Sequence, residues 1–281
     1  MNLRKYRTAI LTAMIAAMAT VPSFAGAIAQ GVTPMTDGTT IFGPAVDNSS
    51  TLSTISDAVK QYYANMDVSQ LTNDQFYALS EYFKDSVIIG DSIAENFQRY
   101  NITTNVGDVV SDNFTSLSVA GYSIAKALLP NDGNNIHPMV RGERHRLPEA
   151  ISLIGAKHVY SFFGYTDLAD PDAADNYETL LKEIQAANPG VDINVISTTY
   201  MTKSTQTEDY NNDDVRALNE AMKLKCASNG WCFIDVQDIM SDGNGNLPDD
   251  WSIDKKIHYN YQYYIYWVNE MKRTALARLG L

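Results

Sequence analysis

Ser86-Val87-Ile88-Ile89 is a short, largely β-branched run that stops abruptly at Gly90, and helical spacing precedes it. A strand apolar on both faces needs cover on both faces, which in practice means a parallel sheet layered between helices. Two more runs read the same way: His158 to Phe163, ending at Gly164, and Ile193 to Thr199, after the turn Asn188-Pro189-Gly190. Trp231 to Val236 adds another. Apolar spacing predicts helices from Ser53 or Thr54 to about Ala64, from Thr72 or Asn73 to about Phe83, over about 174–187 and 213–227, and a closing amphipathic helix over about 259–279. Strand, helix and strand in this rhythm predict an α/β fold, a parallel sheet joined by crossover helices.

The first thirty residues follow another pattern. Arg4, Lys5 and Arg7 precede an apolar run from Ala9 to about Val21, and small residues follow as far as Ala29. That is the layout of a secretory signal peptide, with cleavage expected near Ala29 and a secreted mature chain. The apolar run is shorter than the roughly 20 residues a helix needs to cross a bilayer, and no later stretch reaches that length. Residues 30–50, rich in Gly, Thr, Ser and Pro, read as an extended lead-in, and 51–281 as one domain.

Charge narrows the possible partners. The 281 residues carry 21 Lys and Arg against 33 Asp and Glu, and cleavage would remove three of the basic residues and no acidic one. An acidic chain without a basic run is a poor match to phosphate backbones, so no nucleic-acid partner is expected. Cys226 and Cys232 are close enough in sequence to form one small-loop disulfide in an oxidising compartment, or to remain two thiols.

In open α/β sheets, chemistry gathers beyond the carboxyl ends of the strands. There stand Gly90-Asp91-Ser92-Ile93, then Gly121 after Ser118-Val119-Ala120, then Gly164-Tyr165-Thr166-Asp167. Near the C-terminus stands Asp254-Lys255-Lys256-Ile257-His258-Tyr259-Asn260. Taken alone, Gly-Asp-Ser reads most simply as a helix N-cap, since Asp and Ser are preferred caps. Together, in this order and at these separations, the four segments resemble the sequence blocks of the SGNH, or GDSL, hydrolase family over roughly residues 84–280.

The resemblance implies a three-layer α/β/α sandwich with a flavodoxin-like parallel sheet of about five strands, and an esterase that uses no cofactor or metal. It implies Ser92 as nucleophile and His258 as its base, with the backbone NH groups of Ser92 and Gly121 in the oxyanion hole. Such a site meets the demands of acyl transfer, since a hydroxyl needs a proton acceptor and a tetrahedral oxyanion needs preorganised donors. Two positions depart from the family. Thr166 stands where the family has an Asn whose amide is the third oxyanion donor, which leaves three alternatives: the shorter Thr166 hydroxyl donates, directly or through a water; a group from the Asn131–Asn135 loop replaces it; or the donor is lost and activity is reduced. The family's acid lies three residues before the histidine, where this chain has Lys255. The nearest carboxylate, Asp254, is expected to replace it through a bulge, ahead of Asp249, Asp250 or a Ser-His dyad.

The remaining candidates have plainer readings. His158 starts a strand at the edge remote from the site and reads as a surface or packing residue. His137, His145, Arg141, Arg144 and Arg146 fall in the long polar segment 130–148, a solvated loop or one that contacts an anionic group of the substrate. Tyr259, beside His258, is a candidate pocket residue among tyrosines that otherwise pack. No metal-ligand spacing, phosphate loop or dinucleotide fingerprint occurs. The expected function is a secreted serine esterase acting on small acyl esters such as acetyl groups, with acylated carbohydrate as the partner. An acyltransferase on the same site and a catalytically weakened binding protein of the same fold are the alternatives.

Overall fold

Side-chain alternation along three core strands divides the interior into two halves. The computed structural model describes residues 65–100 and 108–281. The proposed signal peptide, the lead-in, the start of the domain and the helix ending near Ala64 lie outside them. In chain order come α1 (Asn73–Phe83), β1 (Ser86–Gly90), α2 (Ser92–Phe97), β2 (Phe114–Ser116), α3 (Ile124–Leu128), β3 (Met139–Val140), β4 (Glu143–Arg144) and α4 (Leu147–Ile154). Then follow β5 (His158–Phe162), α5 (Ala173–Ala187), β6 (Asp192–Ile196), α6 (Asn212–Asn229), β7 (Cys232–Ile234) and α7 (Ile265–Leu279).

One sheet has the order β2-β1-β5-β6-β7, with every pairing parallel. Neighbouring side chains on a strand face opposite ways. Ile88, Tyr160, Phe162 and Ile196 therefore join Leu79 and Phe83 of α1, Phe97 of α2 and Trp267, Met271 and Leu276 of α7 in one core. Val87, Ile89, Val159, Ile193 and Val195 join Ile124 of α3, Ile151 of α4, Tyr177 and Leu181 of α5 and Met222 of α6 in the other. This is the expected three-layer α/β/α sandwich with five parallel strands. Only between β1 and β5 does the strand order reverse, the switch point at which such sheets open a crevice.

Local signals explain most element ends. A capping box between Thr72 and Gln75 starts α1, and another between Asn211 and Asp214 starts α6. Gly230 ends α6 in the left-handed conformation. Several boundaries differ from the sequence expectation. The second strand is Phe114–Ser116, not Ser118 to Ala120, and the closing helix begins at Ile265 behind a 3-10 turn over Tyr261–Tyr264. Segment 130–148 is folded rather than a plain solvated loop: it contains the hairpin β3-β4, and its arginines bond to Leu153 O, His137 O and Glu183. The two cysteines are free thiols, Cys226 buried in the helix and Cys232 at the start of β7.

Candidate active site

The site is built on the turn from β1 into α2. Gly90 has φ 151°, and a Cβ there would sit 2.0 Å from the Phe162 carbonyl oxygen, so β1 and β5 approach this closely only with glycine. Asp91 caps α2, its carboxylate accepting from the Ile93 NH at 2.8 Å. Burial raises its pKa to about 7, against the pull of backbone NH groups. Ser92 is then the first residue of the helix, with its hydroxyl only partly covered.

His258 reaches Ser92 from the segment between β7 and α7. Its Nε2 lies 2.8 Å from Ser92 Oγ, and its Nδ1 lies 2.6 Å from Asp254 Oδ2. An ionised carboxylate only accepts, so Nδ1 carries the proton and Nε2 is left as the acceptor for the serine hydroxyl. The other carboxylate oxygen, Oδ1, accepts from the NH groups of Lys256 at 2.8 Å, Ile257 at 3.1 Å and His258 at 3.2 Å, and from Ser252 Oγ at 3.0 Å. Burial works to raise the Asp254 pKa, but the hydrogen bonds from His258, Lys256 and Ser252 prevail and the net shift is downward.

The extra residue before the histidine is absorbed by Lys255, whose φ is 58°. Its carbonyl accepts from Thr202 Oγ1 at 2.7 Å, and the Lys256 carbonyl from the Thr202 NH at 2.8 Å. The loop after β6 thus holds the bulge in place. Asp249 meets the Lys255 ammonium through its carbonyl at 2.6 Å.

Gly121 lies beside the β1 end: the Val119 NH donates to the Gly90 carbonyl at 3.0 Å, and Gly121 follows two residues later with φ 72°. Thr166 comes to the same place from the end of β5, its hydroxyl directed at Asp167 Oδ2, 3.0 Å away, and at the Tyr122 carbonyl, 3.3 Å away. Asp167 in turn accepts from the NH groups of Ile124 and Ala125 at the start of α3, and burial raises its pKa. The Asn131 amide is bound to the Arg144 carbonyl at 2.6 Å, which ties it into the hairpin segment.

Three histidine and tyrosine readings are refined. Tyr259 is fully buried in the aromatic core with Tyr264 and Trp267, so it packs and does not line a pocket. His158 contacts Asp192 at 3.0 Å and stacks near Tyr82, a packing role. His137 is buried against the Tyr122 hydroxyl at 2.9 Å, directly behind the Gly121 turn. Lys126, which sequence reading passed over, donates to the Gly121 carbonyl at 2.6 Å. No sequence signal singles it out, since a lysine on a short helix is ordinarily a solvated residue. Among the described residues no group of His, Cys, Asp or Glu is arranged to hold a metal ion, and no helix is long and apolar enough to cross a membrane.

A doubly wound parallel sheet with a serine, an imidazole and a carboxylate in hydrogen-bonded line at its switch point is an arrangement suited to serine-type ester hydrolysis. The GDSL-like lipase/acylhydrolase family model matches residues 88–264, and the chain belongs to that family of ester hydrolases. Solved structures agree on the fold. An acylhydrolase-like protein from Bacteroides fragilis aligns over 78% of this chain and 94% of its own at 14% identity, with a TM-score of 0.52. A GDSL-like lipase from Bacteroides thetaiotaomicron aligns over 78% and 95% at 12% identity, also with a TM-score of 0.52. No curated protein matches the chain.

Proposed function

We propose that this protein is a secreted serine esterase that removes small acyl groups, acetyl above all, from carbohydrate esters, with Ser92, His258 and Asp254 as its triad. The supporting observation is the unbroken line from Ser92 Oγ to His258 at 2.8 Å and from His258 to Asp254 at 2.6 Å. In this reading Ser92 Oγ attacks the ester carbonyl carbon while His258 Nε2 takes its proton. The tetrahedral oxyanion faces the NH groups of Ser92 and Gly121. Collapse expels the alcohol, which receives the proton from His258 and leaves an acyl-serine. Water, deprotonated by the same imidazole, then attacks the acyl carbon and releases the acid and free Ser92. Asp254 holds the imidazole in the tautomer this cycle needs.

The choice of a carbohydrate ester rests on the signal-like N-terminus and the acidic composition, an argument from compartment and not from a pocket. Thr166 stands at the sequence position of the family's third donor, and its hydroxyl is turned to Asp167 and Tyr122. The test is hydrolysis of p-nitrophenyl acetate and butyrate by the mature chain and by Ser92→Ala, with a serine-directed phosphonate as label. Expected is turnover and labelling in the wild type and loss of both in the variant. A wild type as inert and unlabelled as Ser92→Ala would discard the esterase in favour of a binding protein of the same fold. Acyl transfer to a sugar hydroxyl would appear instead as esterified sugar in the presence of acceptor.

A further inference from the structure

The turn that presents Gly121 is anchored at each end and open in the middle. Val119 donates to the Gly90 carbonyl at 3.0 Å, and the Tyr122 NH returns to the Val119 carbonyl at 3.0 Å. Between these anchors, a Cβ built on Gly121 would meet nothing within 4 Å. Glycine is there for its backbone angle, φ 72°, while the next residue, Tyr122, is fully buried and packed against Phe163 and His137. On the Gly121 side of the peptide that joins the two, the hold on the carbonyl comes from Lys126, whose ammonium reaches back from α3 across the surface to the Gly121 carbonyl at 2.6 Å. A charged donor makes a hydrogen bond roughly twice as strong as a neutral one.

We propose that Lys126 is a positioning residue of the oxyanion hole, the group that holds the Gly121 peptide so that the Gly121 NH faces the developing oxyanion. The proposal rests on the assignment of Ser92 as nucleophile. The Gly121–Tyr122 peptide is gripped at both edges, its NH by Val119 and its carbonyl by Lys126. The preceding peptide, which carries the Gly121 NH, is thereby bracketed between two fixed points. Neither alternative third donor is at hand, because the Thr166 hydroxyl is engaged with Asp167 and Tyr122 and the Asn131 amide with Arg144. Two main-chain donors then carry the oxyanion, and misalignment of one is felt in the transition state. Preorganisation of this kind is lost from kcat and not from ground-state binding.

The test compares Lys126→Met, which keeps an unbranched stem without the ammonium, with Lys126→Arg, which keeps a cationic donor. The readouts are p-nitrophenyl acetate kinetics, the second-order rate of phosphonate labelling at Ser92, and the thermal midpoint. Expected for Lys126→Met is a fall in kcat of about tenfold or more at nearly constant KM, a matching fall in labelling rate and an unchanged midpoint, since one oxyanion donor is worth about 10²–10³ in kcat. Lys126→Arg should recover most of the loss. Lys126→Gln, with a neutral donor on a shorter stem, stands in should the Met variant fold poorly. An active wild type beside a Lys126→Met enzyme of equal kcat, or one changed in KM alone, overturns this proposal and leaves Ser92 in place. An inert and unlabelled wild type overturns both.

Discussion

Lys255 is the residue on which the acid of the proposed triad depends. A lysine with φ 58° is unusual, because the left-handed region crowds Cβ against the backbone. It persists here because Thr202 binds the carbonyls of Lys255 and Lys256 in succession. Asp254 is thereby returned to His258 although it stands four residues before it, so this contact was legible in the sequence once a bulge was allowed. The fate of the third donor was not legible. A threonine hydroxyl and an asparagine amide go to whichever acceptor the fold brings nearest: for Thr166 the neighbouring Asp167 and the Tyr122 carbonyl 44 positions away, for Asn131 the Arg144 carbonyl across the hairpin segment. Asp254→Asn should lower kcat on p-nitrophenyl acetate by about 10³–10⁴, because an amide no longer selects the tautomer with a free Nε2. The folded-state pKa of Asp254 is depressed, so its contribution to stability is present above the unfolded carboxylate value and disappears as pH falls through the lower folded value. Urea unfolding of wild type and variant should accordingly converge below about pH 4.

Among the elements, α2 carries a direct conflict between structure and charge. Its N-cap must supply an acceptor for the Ile93 NH, and Asp91 does so while 2% exposed. The two demands oppose each other: the NH groups favour the carboxylate, burial favours the acid, and burial prevails. A folded-state pKa of about 7, above the unfolded carboxylate value of about 4, means that the folded protein binds the extra proton between those limits. Stability from this group is therefore full below about pH 4 and declines as pH rises toward 7. The stability of wild type relative to Asp91→Asn should fall across that window, by at most about 1.4 kcal/mol per pH unit, and level off above it. A constant difference from pH 4 to 8 in chemical denaturation would refute the shift. The strand–turn–helix that holds Asp91 could be read from Ser86 to Ile93, because an apolar run, a glycine and a cap are local signals. The hairpin β3-β4 could not, because two-residue strands such as Met139–Val140 are too short to show a period.

For the molecule as a whole, the sheet must be closed against its last helix, and the closure is ionic as well as apolar. The apolar half was visible in sequence as the stripe that becomes Trp267, Met271 and Leu276. The ionic half joins residues 86 positions apart. Arg278, near the end of α7, donates to both carboxylate oxygens of Asp192 at 2.6 and 2.7 Å and to Asn194 at 3.1 Å, both on β6. His158 of β5 adds a contact to the same carboxylate, and Tyr82 of α1 lies under the guanidinium. Burial opposes ionisation of Asp192, but the bonds from His158 and Arg278 hold its pKa well below the usual carboxylate range. The pair is thus a buried one whose partners cannot be removed singly without leaving a charge unmatched. Arg278→Met should cost about 3–5 kcal/mol, read as a fall in thermal midpoint of roughly 10 °C. Lys182→Met, which removes an exposed ammonium from half-buried Glu178 one helical turn away while Lys225 and Asn229 still hold that carboxylate, should cost about 0.5 kcal/mol or less. The large effect should also be specific in pH, since a depressed carboxylate stabilises above the unfolded value of about 4 and ceases to do so as pH falls through its folded value. Wild type and Arg278→Met should therefore differ most near neutrality and approach each other in strong acid. Equal costs for the two substitutions at neutral pH would mean that apolar packing alone closes α7 onto the sheet.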